Sequence, residues 1–181
     1  CKAMMDVAHG IENCTLVTAM SRNGTEFGIK VSCLGDSWFT APSPTPKGLC
    51  FPGYGPTDAN PDLGDSCITE TRGIGGFAMA AAPAIVKFIG GTAADAMSYT
   101  KEMMQITVSK DYSFTIPSLN FDGVPLGIDV VRVLETGISP IINTGIAHKK
   151  PGIGQIGAGI TNAPMECFKK ALKELAEKAR L

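Results

Sequence analysis

The chain has no surplus of positive charge. Sixteen Lys and Arg stand against 17 Asp and Glu, giving a formal net charge of −1 and a pI near 6.1. With no basic excess to neutralise phosphates, a nucleic-acid protein is disfavoured. A long apolar run is also missing. The nearest, Gly73 to Ile89, follows Arg72, is interrupted by Pro83 and carries Lys87. It is too short and too broken for a membrane span. The six cysteines (Cys1, Cys14, Cys33, Cys50, Cys67 and Cys167) contain no Cys-x-x-Cys pair, which removes zinc-ribbon and thioredoxin-like readings. No charged-then-apolar pattern opens the chain, so reduced thiols and a cytoplasmic protein are expected. There is no Gly-Lys-Ser/Thr of a P-loop and no Gly-x-Ser-x-Gly elbow. Composition does not suggest disorder: 44% of the 181 residues are apolar, enough for a proper core.

What the chain has is proline in one place. Ala41 to Asp65 holds six of the 12 prolines and four glycines. Proline removes a backbone donor and fixes φ, so this stretch reads as a long connection without regular structure. Leu49, Phe51 and Tyr54 argue that it is ordered against a body. It either presents polar groups at a site or is a structural wrap.

Elsewhere, Leu16 to Ala19 and Phe27 to Leu34 read as short strands around the turn Ser21-Arg22-Asn23-Gly24. Ile68 to Thr71 looks β-like. Gly73 to Gly76 opens an Ala-rich helix from about Phe77, with a kink or two abutting helices at Pro83 and an end at Gly90-Gly91. Thr92 to Asp95 resembles an N-cap, and a Met-rich helix from Ala93 to Val108 follows, with Met97, Met103, Met104 and Ile106 on its apolar face. Asp122-Gly123 marks a turn. Asp129 caps a helix over 130–136 ended by Gly137, and Pro140 to Thr144 is a buried-strand candidate. Pro164 starts an amphipathic helix reaching Arg180, with Phe168, Leu172, Leu175 and Ala179 on one face and Glu166–Lys170 and Glu174–Lys178 as i,i+4 pairs. Without strict βαβ alternation this is an α+β fold, expected as one domain over 1–181 around one core. Cys1 is not an initiator Met, so the chain reads as the C-terminal part of a longer protein.

Five constellations could carry chemistry. Asp58, Asp62, Asp65 and Glu70 form an acidic group fit for a hard cation such as Mg²⁺ or for general-base work, or for turn and cap duty. Asp65 and Glu70 are preferred as functional because they approach the Gly-rich helix start. No cofactor is expected, with Mg²⁺ the lesser alternative and no metal ligands assigned. The turn Gly73-Ile74-Gly75-Gly76 exposes backbone N–H groups that suit an anion, and Arg72 would add a bidentate contact; the bland alternative is close helix packing. Gly152 to Gly159 matches G-x-G-x-x-G formally, but lacks the strand–helix context of a dinucleotide site. In Asn143-Thr144-Gly145-Ile146-Ala147-His148, His148 ends a strand among polar groups and suits acid–base work. Arg22 and Asn23 at a hairpin tip would bind an anion, or Arg22 would pair with Glu26.

Several segments together resemble the YlbE-like bacterial proteins, long filed as a domain of unknown function. They are Ser21 to Gly28, Ala41 to Asp65, Ile68 to Thr71, Gly73 to Ile85, Glu135 to Gly137, Ile142 to His148, Pro151 to Gly159 and Pro164 to Phe168. The resemblance covers nearly the whole chain and the C-terminal portion of longer proteins. Cys50 and Cys67 stand where relatives are expected to carry Tyr and Ala, which argues against these thiols as nucleophiles. The resemblance implies an FdrA-like partner, itself similar to acyl-CoA synthetase subunits. It also implies a place in a multi-subunit oxamate carbamoyltransferase of anaerobic allantoin breakdown, which turns oxalurate and phosphate into oxamate and carbamoyl phosphate. It brings no catalytic residues with it.

For such chemistry, Arg22, Asn23, Arg72, Gly73, Gly75, Gly76, Asn143 and Thr144 are the anion- and substrate-binding candidates. His148, Glu70 and Asp65 are the catalytic ones. The rival readings are a non-catalytic interaction subunit docking an FdrA-like protein through the Pro-rich segment, and a metal-dependent hydrolase built on the acidic group. A shared cleft for Arg72, His148 and Glu70 would favour the transferase.

Overall fold

The computed structural model describes residues 1–179, without the side chain of Phe88. A short helix α1 (Lys2–Asp6) precedes β1 (Val17–Asn23), β2 (Glu26–Val31) and β3 (Phe39–Pro42). Then come β4 (Lys47–Cys50), β5 (Leu63–Gly64), α2 (Ile68–Thr71) and two 3-10 helices, Gly75–Ala81 and Pro83–Ile89. The rest is α3 (Ala93–Gln105), β6 (Thr107–Ile116), β7 (Asp122–Ile128), α4 (Val130–Thr136), β8 (Ile141–Ala147), β9 (Gln155–Asn162) and α5 (Met165–Lys178). The sheets are antiparallel, in orders β3-β2-β1-β5, β4-β9-β8 and β6-β7. Helices and antiparallel sheets together make the α+β fold expected from the sequence.

Alternation builds the first sheet. Phe27, Ile29 and Val31 point inward from β2 and are fully buried, as period-2 patterning requires. They meet Met20, Phe77, Met103, Ile106, Ile142 and Phe168 in the main core, while Ala80, Ile116 and Val124 form a smaller cluster. No helix among the described residues is long and apolar enough to cross a membrane.

Local signals that close within a few residues hold. Thr92 Oγ1 accepts from the Asp95 N–H at 3.3 Å and Asp95 Oδ2 accepts from the Thr92 N–H at 2.7 Å, a reciprocal cap for α3. Asp129 Oδ1 accepts from the Arg132 N–H at 2.9 Å at the head of α4, and its other oxygen takes the Thr15 hydroxyl. Asp129→Ala is therefore expected to cost about 1–2 kcal/mol in urea unfolding, and Asp129→Asn less, since the amide oxygen still caps.

Several sequence expectations are corrected. The stretch Ala41 to Asp65 is not without regular structure: it holds the end of β3, all of β4 and β5, and a 3-10 turn at Pro56–Asp58. It is a strap running along sheet edges, where Pro42 needs to give no ladder hydrogen bond to the solvent side. Ile68–Thr71 is helical, its Thr71 hydroxyl donating back to the Cys67 carbonyl. The first turn is narrower than Ser21–Gly24, because β1 stays paired to Arg22 opposite Phe27. Asp122-Gly123 begins β7, and the turn lies at Asn120 and Phe121, both in the left-handed region. The Met-rich helix stops at Gln105, and β6, with exposed side chains on both faces, replaces its expected end. The Ala-rich helix is two 3-10 runs divided at Ala82 and Pro83. In α5 the buried stripe is Cys167, Phe168 and Ala171, with Leu172 37% exposed. Lys170 and Lys178 donate to the carbonyls of Thr40 and Cys33 instead of pairing along the helix. The expected helix end at Arg180 lies outside the described residues.

Candidate functional site

The polar groups that converge do so behind the first sheet, where β1, the strap, α2 and β8 meet. Arg22 alternates onto the inward face of β1 and is 4% exposed. Its Nε donates to Asp62 Oδ2 at 2.7 Å, and its Nη2 reaches Ser66 Oγ at 3.1 Å and Thr144 Oγ1 at 3.0 Å. The Thr144 hydroxyl in turn donates to Asp62 Oδ1 at 2.8 Å. The sequence alternatives for Arg22, a free anion or Glu26, are both replaced by Asp62. Asp62 is held from the strap side as well: its N–H donates to the Pro44 carbonyl, and its own carbonyl accepts from Ser43 and Gly24. Arg22 Nη1 is buried with no partner among the described residues. Cys67 lies beside this guanidinium, yet burial pushes its thiol up to about 12, so it is a neutral packing group at pH 7.

A second network shares β8 with the first. Glu70, 1% exposed, accepts through Oε1 from the N–H of Gly76 at 2.9 Å and of Asn143 at 3.0 Å, and its Oε2 lies 2.9 Å from Thr69 Oγ1. The Gly-rich turn thus holds a carboxyl group, and that group is the chain's own Glu70. The glycines are needed for the fit. A Cβ on Gly75, at φ +65°, would stand 2.2 Å from Glu70 Oε1, and one on Gly76 would stand 2.2 Å from the Ile141 carbonyl oxygen. Gly73, at φ +89°, lies just as close to the Pro125 carbonyl.

The remaining candidates disperse. Arg72 turns to the β6–β7 hairpin, pairing with Asp111 beneath the Phe114 ring at 5.5 Å. That hydrogen bond holds the Asp111 carboxyl below the usual range. Asn23 closes the β1–β2 turn through Oδ1. Asp65 is exposed, makes no side-chain hydrogen bond to either network among the described residues, and lines a cavity with Lys2, Met20, Trp38 and Ile68. His148 lies past the end of β8, five residues beyond Asn143 and so about 16 Å along an extended chain. Its Nδ1 accepts from the Lys150 N–H at 2.8 Å, and its ring meets Tyr54 edge-on at 5.7 Å. Arg72, His148 and Glu70 therefore share no cleft. Among the described residues no three of His, Cys, Asp and Glu gather to hold a metal.

Nothing in the sequence marks Ser66 or Trp38 as a site residue, and the sequence favours Asp65 over Asp62. Spacing carries no sign of these roles: Asp62 is 40 residues from Arg22 and 82 from Thr144.

Residues 1–66 match the family model described as oxamate carbamoyltransferase subunit AllG. The chain is 55% identical over 178 residues to the oxamate carbamoyltransferase subunit AllG of Escherichia coli K12, covering 98% of this chain and 42% of that protein. It is 55% identical over 172 residues to the uncharacterized protein YahG of the same organism, covering 95% and 36%. A crystal structure of a conserved protein of unknown function from Enterococcus faecalis V583 matches with a TM-score of 0.94 and 57% identity, over 96% of this chain and 42% of that one. The chain spans less than half the length of the curated relatives it matches. Over nearly all of its own length, it is similar in sequence to one portion of an oxamate carbamoyltransferase subunit.

Proposed function

We propose that the chain belongs to a subunit of a carbamoyltransferase assembly that converts oxalurate and phosphate into oxamate and carbamoyl phosphate, as part of allantoin breakdown. The observation that carries this is the 55% identity to AllG over 98% of the chain. The YlbE-like resemblance read from the sequence points the same way, with an FdrA-like subunit among the partners. In the reaction a phosphate oxygen attacks the carbamoyl carbon, the bond from that carbon to the oxamate nitrogen breaks, and the phosphate proton ends on that nitrogen. Atoms and charge then balance without a redox partner.

Within this assembly the role proposed for the described residues is binding and shape, not proton transfer. Glu70 has its oxygens engaged and buried, Asp65 is exposed outside both networks, and His148 stands apart from both. The strap also exposes Leu49, Phe51 and Tyr54, at 53%, 48% and 40%. This favours, as a second reading, an interaction subunit that docks through that ridge.

The test is conversion of oxalurate and phosphate to carbamoyl phosphate by the co-expressed, assembled complex. Conversion is expected, and an intact complex without it overturns the reaction. Loss of a general acid–base residue costs about 10²–10⁴ in rate. His148→Ala in the same complex is expected to cost far less than that. A loss of that size would place His148 in the chemistry and overturn the binding-only role.

A further inference from the structure

The first sheet also carries polar side chains that take part in neither buried network. Ala19 stands opposite Lys30, Ser21 opposite Gly28, and Gly28 opposite Thr40. This face alternates with the inward one that carries Met20 and Arg22. Trp38, the chain's one tryptophan, lies over Gly28: a Cβ there would stand 3.0 Å from Trp38 Cε3 and 3.3 Å from Thr40 Cγ2. The absent side chain lets the indole rest on the sheet while 46% of the residue remains exposed. Trp38 and Ser21 line both of two neighbouring cavities. One, of about 330 Å³, is also lined by Arg22, Asn23, Glu26, Gly28 and Thr40; the other, of about 290 Å³, extends past Met20 towards Lys30 and Asp65. Such volumes suit small ligands.

The first cavity has unspent hydrogen-bonding groups of both kinds. Asn23 uses its Oδ1 on the N–H groups of Thr25 and Glu26, at 2.9 and 2.7 Å, which leaves its amide NH₂ to donate. The Ser21 hydroxyl makes no hydrogen bond among the described residues. Glu26 accepts the Thr40 hydroxyl on Oε1 at 3.1 Å and keeps Oε2 as a charged acceptor. Donors therefore stand beside an acceptor, with an aromatic wall alongside. A primary amide offers the complement in one plane: a carbonyl that accepts, an NH₂ that donates, and a flat face for the indole.

We propose that this cavity binds the carbamoyl end of a small planar molecule, with Trp38 as its wall, Asn23 and Ser21 donating to the carbonyl, and Glu26 accepting from the NH₂. The choice of oxamate as probe rests on the reaction proposed above. Titrating the chain with oxamate is expected to change Trp38 fluorescence saturably, with the Gly28 amide shifting in parallel by NMR. Oxalate, similar in shape but with a second carboxylate in place of the amide, is expected to bind at least about tenfold more weakly, because it offers Glu26 no donor and sets a like charge against it. Glu26→Ala, at an exposed position, is expected to weaken oxamate by at least about tenfold with an unchanged circular dichroism spectrum. No saturable response in either signal, equal binding of oxalate, or an unaffected Glu26→Ala variant overturns the proposal. Conversion by the complex without binding here would sink this site alone, and binding here without conversion would sink the reaction alone.

Discussion

Arg22→Met is expected to destabilise the chain by about 3–5 kcal/mol, the cost of leaving a buried ionic partner unpaired. Asp62 is that partner, and both side chains are 1% exposed. Methionine keeps the length and apolar volume of the arginine stem, so packing changes little and the loss reports the charge. Three hydrogen bonds go with the guanidinium, to Asp62, Ser66 and Thr144. For a chain of this size such a loss lowers Tm by roughly 6–20 °C. Asp62→Asn should be costly as well, since it leaves the buried guanidinium uncompensated. The double variant Arg22→Met/Asp62→Asn removes both charges and should cost less than the sum of the singles, with a coupling of about 1 kcal/mol or more. Urea unfolding of the four proteins measures this. A single Arg22→Met loss below about 1 kcal/mol would show the pair to be solvated in solution. Because Asp62 also anchors Pro44, Ser43 and Gly24, the same variant should loosen the whole strap, seen as faster amide exchange over 42–64.

The difference between what could and could not be read from the sequence follows from sequence distance. Caps at Thr92 and Asp129 close over three residues, so residue type alone reveals them. Pro83 breaks its helix wherever the chain goes. The β6–β7 hairpin has no such signature: side chains on both faces of β6 are exposed, which erases the alternation, and β7 carries Pro125. Ile68–Thr71 carries β-branched residues and still forms a helical turn, because its own Glu70 and Thr71, and Cys67 before it, are buried by tertiary contacts. The candidate residues follow the same rule. Glu70, Gly75, Gly76 and Asn143, all candidates for chemistry in the sequence, do come together, but as one carboxyl group held by its own chain. Arg22 reads in the sequence as an anion binder, and its anion is Asp62 from the strap. Residue type identified groups that seek charge or hydrogen bonds. Only the fold shows that most find partners within the chain, leaving the Trp38 face with groups unspent.

Glu70 yields the second large effect, and with it a pH dependence of definite sign. Thr69 Oγ1 lies 2.8 Å from the Ser66 carbonyl and 2.9 Å from Glu70 Oε2. A hydroxyl has one proton, so if it donates to Ser66, the proton between Thr69 and Glu70 must sit on the carboxyl. Burial acts in the same direction and raises the Glu70 pKa against the hydrogen bonds from Gly76, Asn143 and Thr69. A carboxyl whose folded pKa lies above its unfolded value stabilises the fold in full below about pH 4.3, the ordinary glutamate value. That stabilisation is lost as pH rises through the folded pKa. Glu70→Gln mimics the protonated form: its Oε1 still accepts from Gly76 and Asn143, and its Nε2 donates to Thr69. It should therefore lie within about 1 kcal/mol of the wild type at low pH and gain on it as pH rises. Glu70→Ala should cost about 2–5 kcal/mol at low pH, because it leaves two backbone N–H groups buried without acceptors, and less as pH rises and the wild type loses its Glu70 stabilisation. Unfolding in urea from pH 4 to pH 8 separates these outcomes. A wild type that instead gains on Glu70→Gln with rising pH would mean an ionised Glu70, with the Thr69 hydroxyl turned towards the carboxylate and away from Ser66.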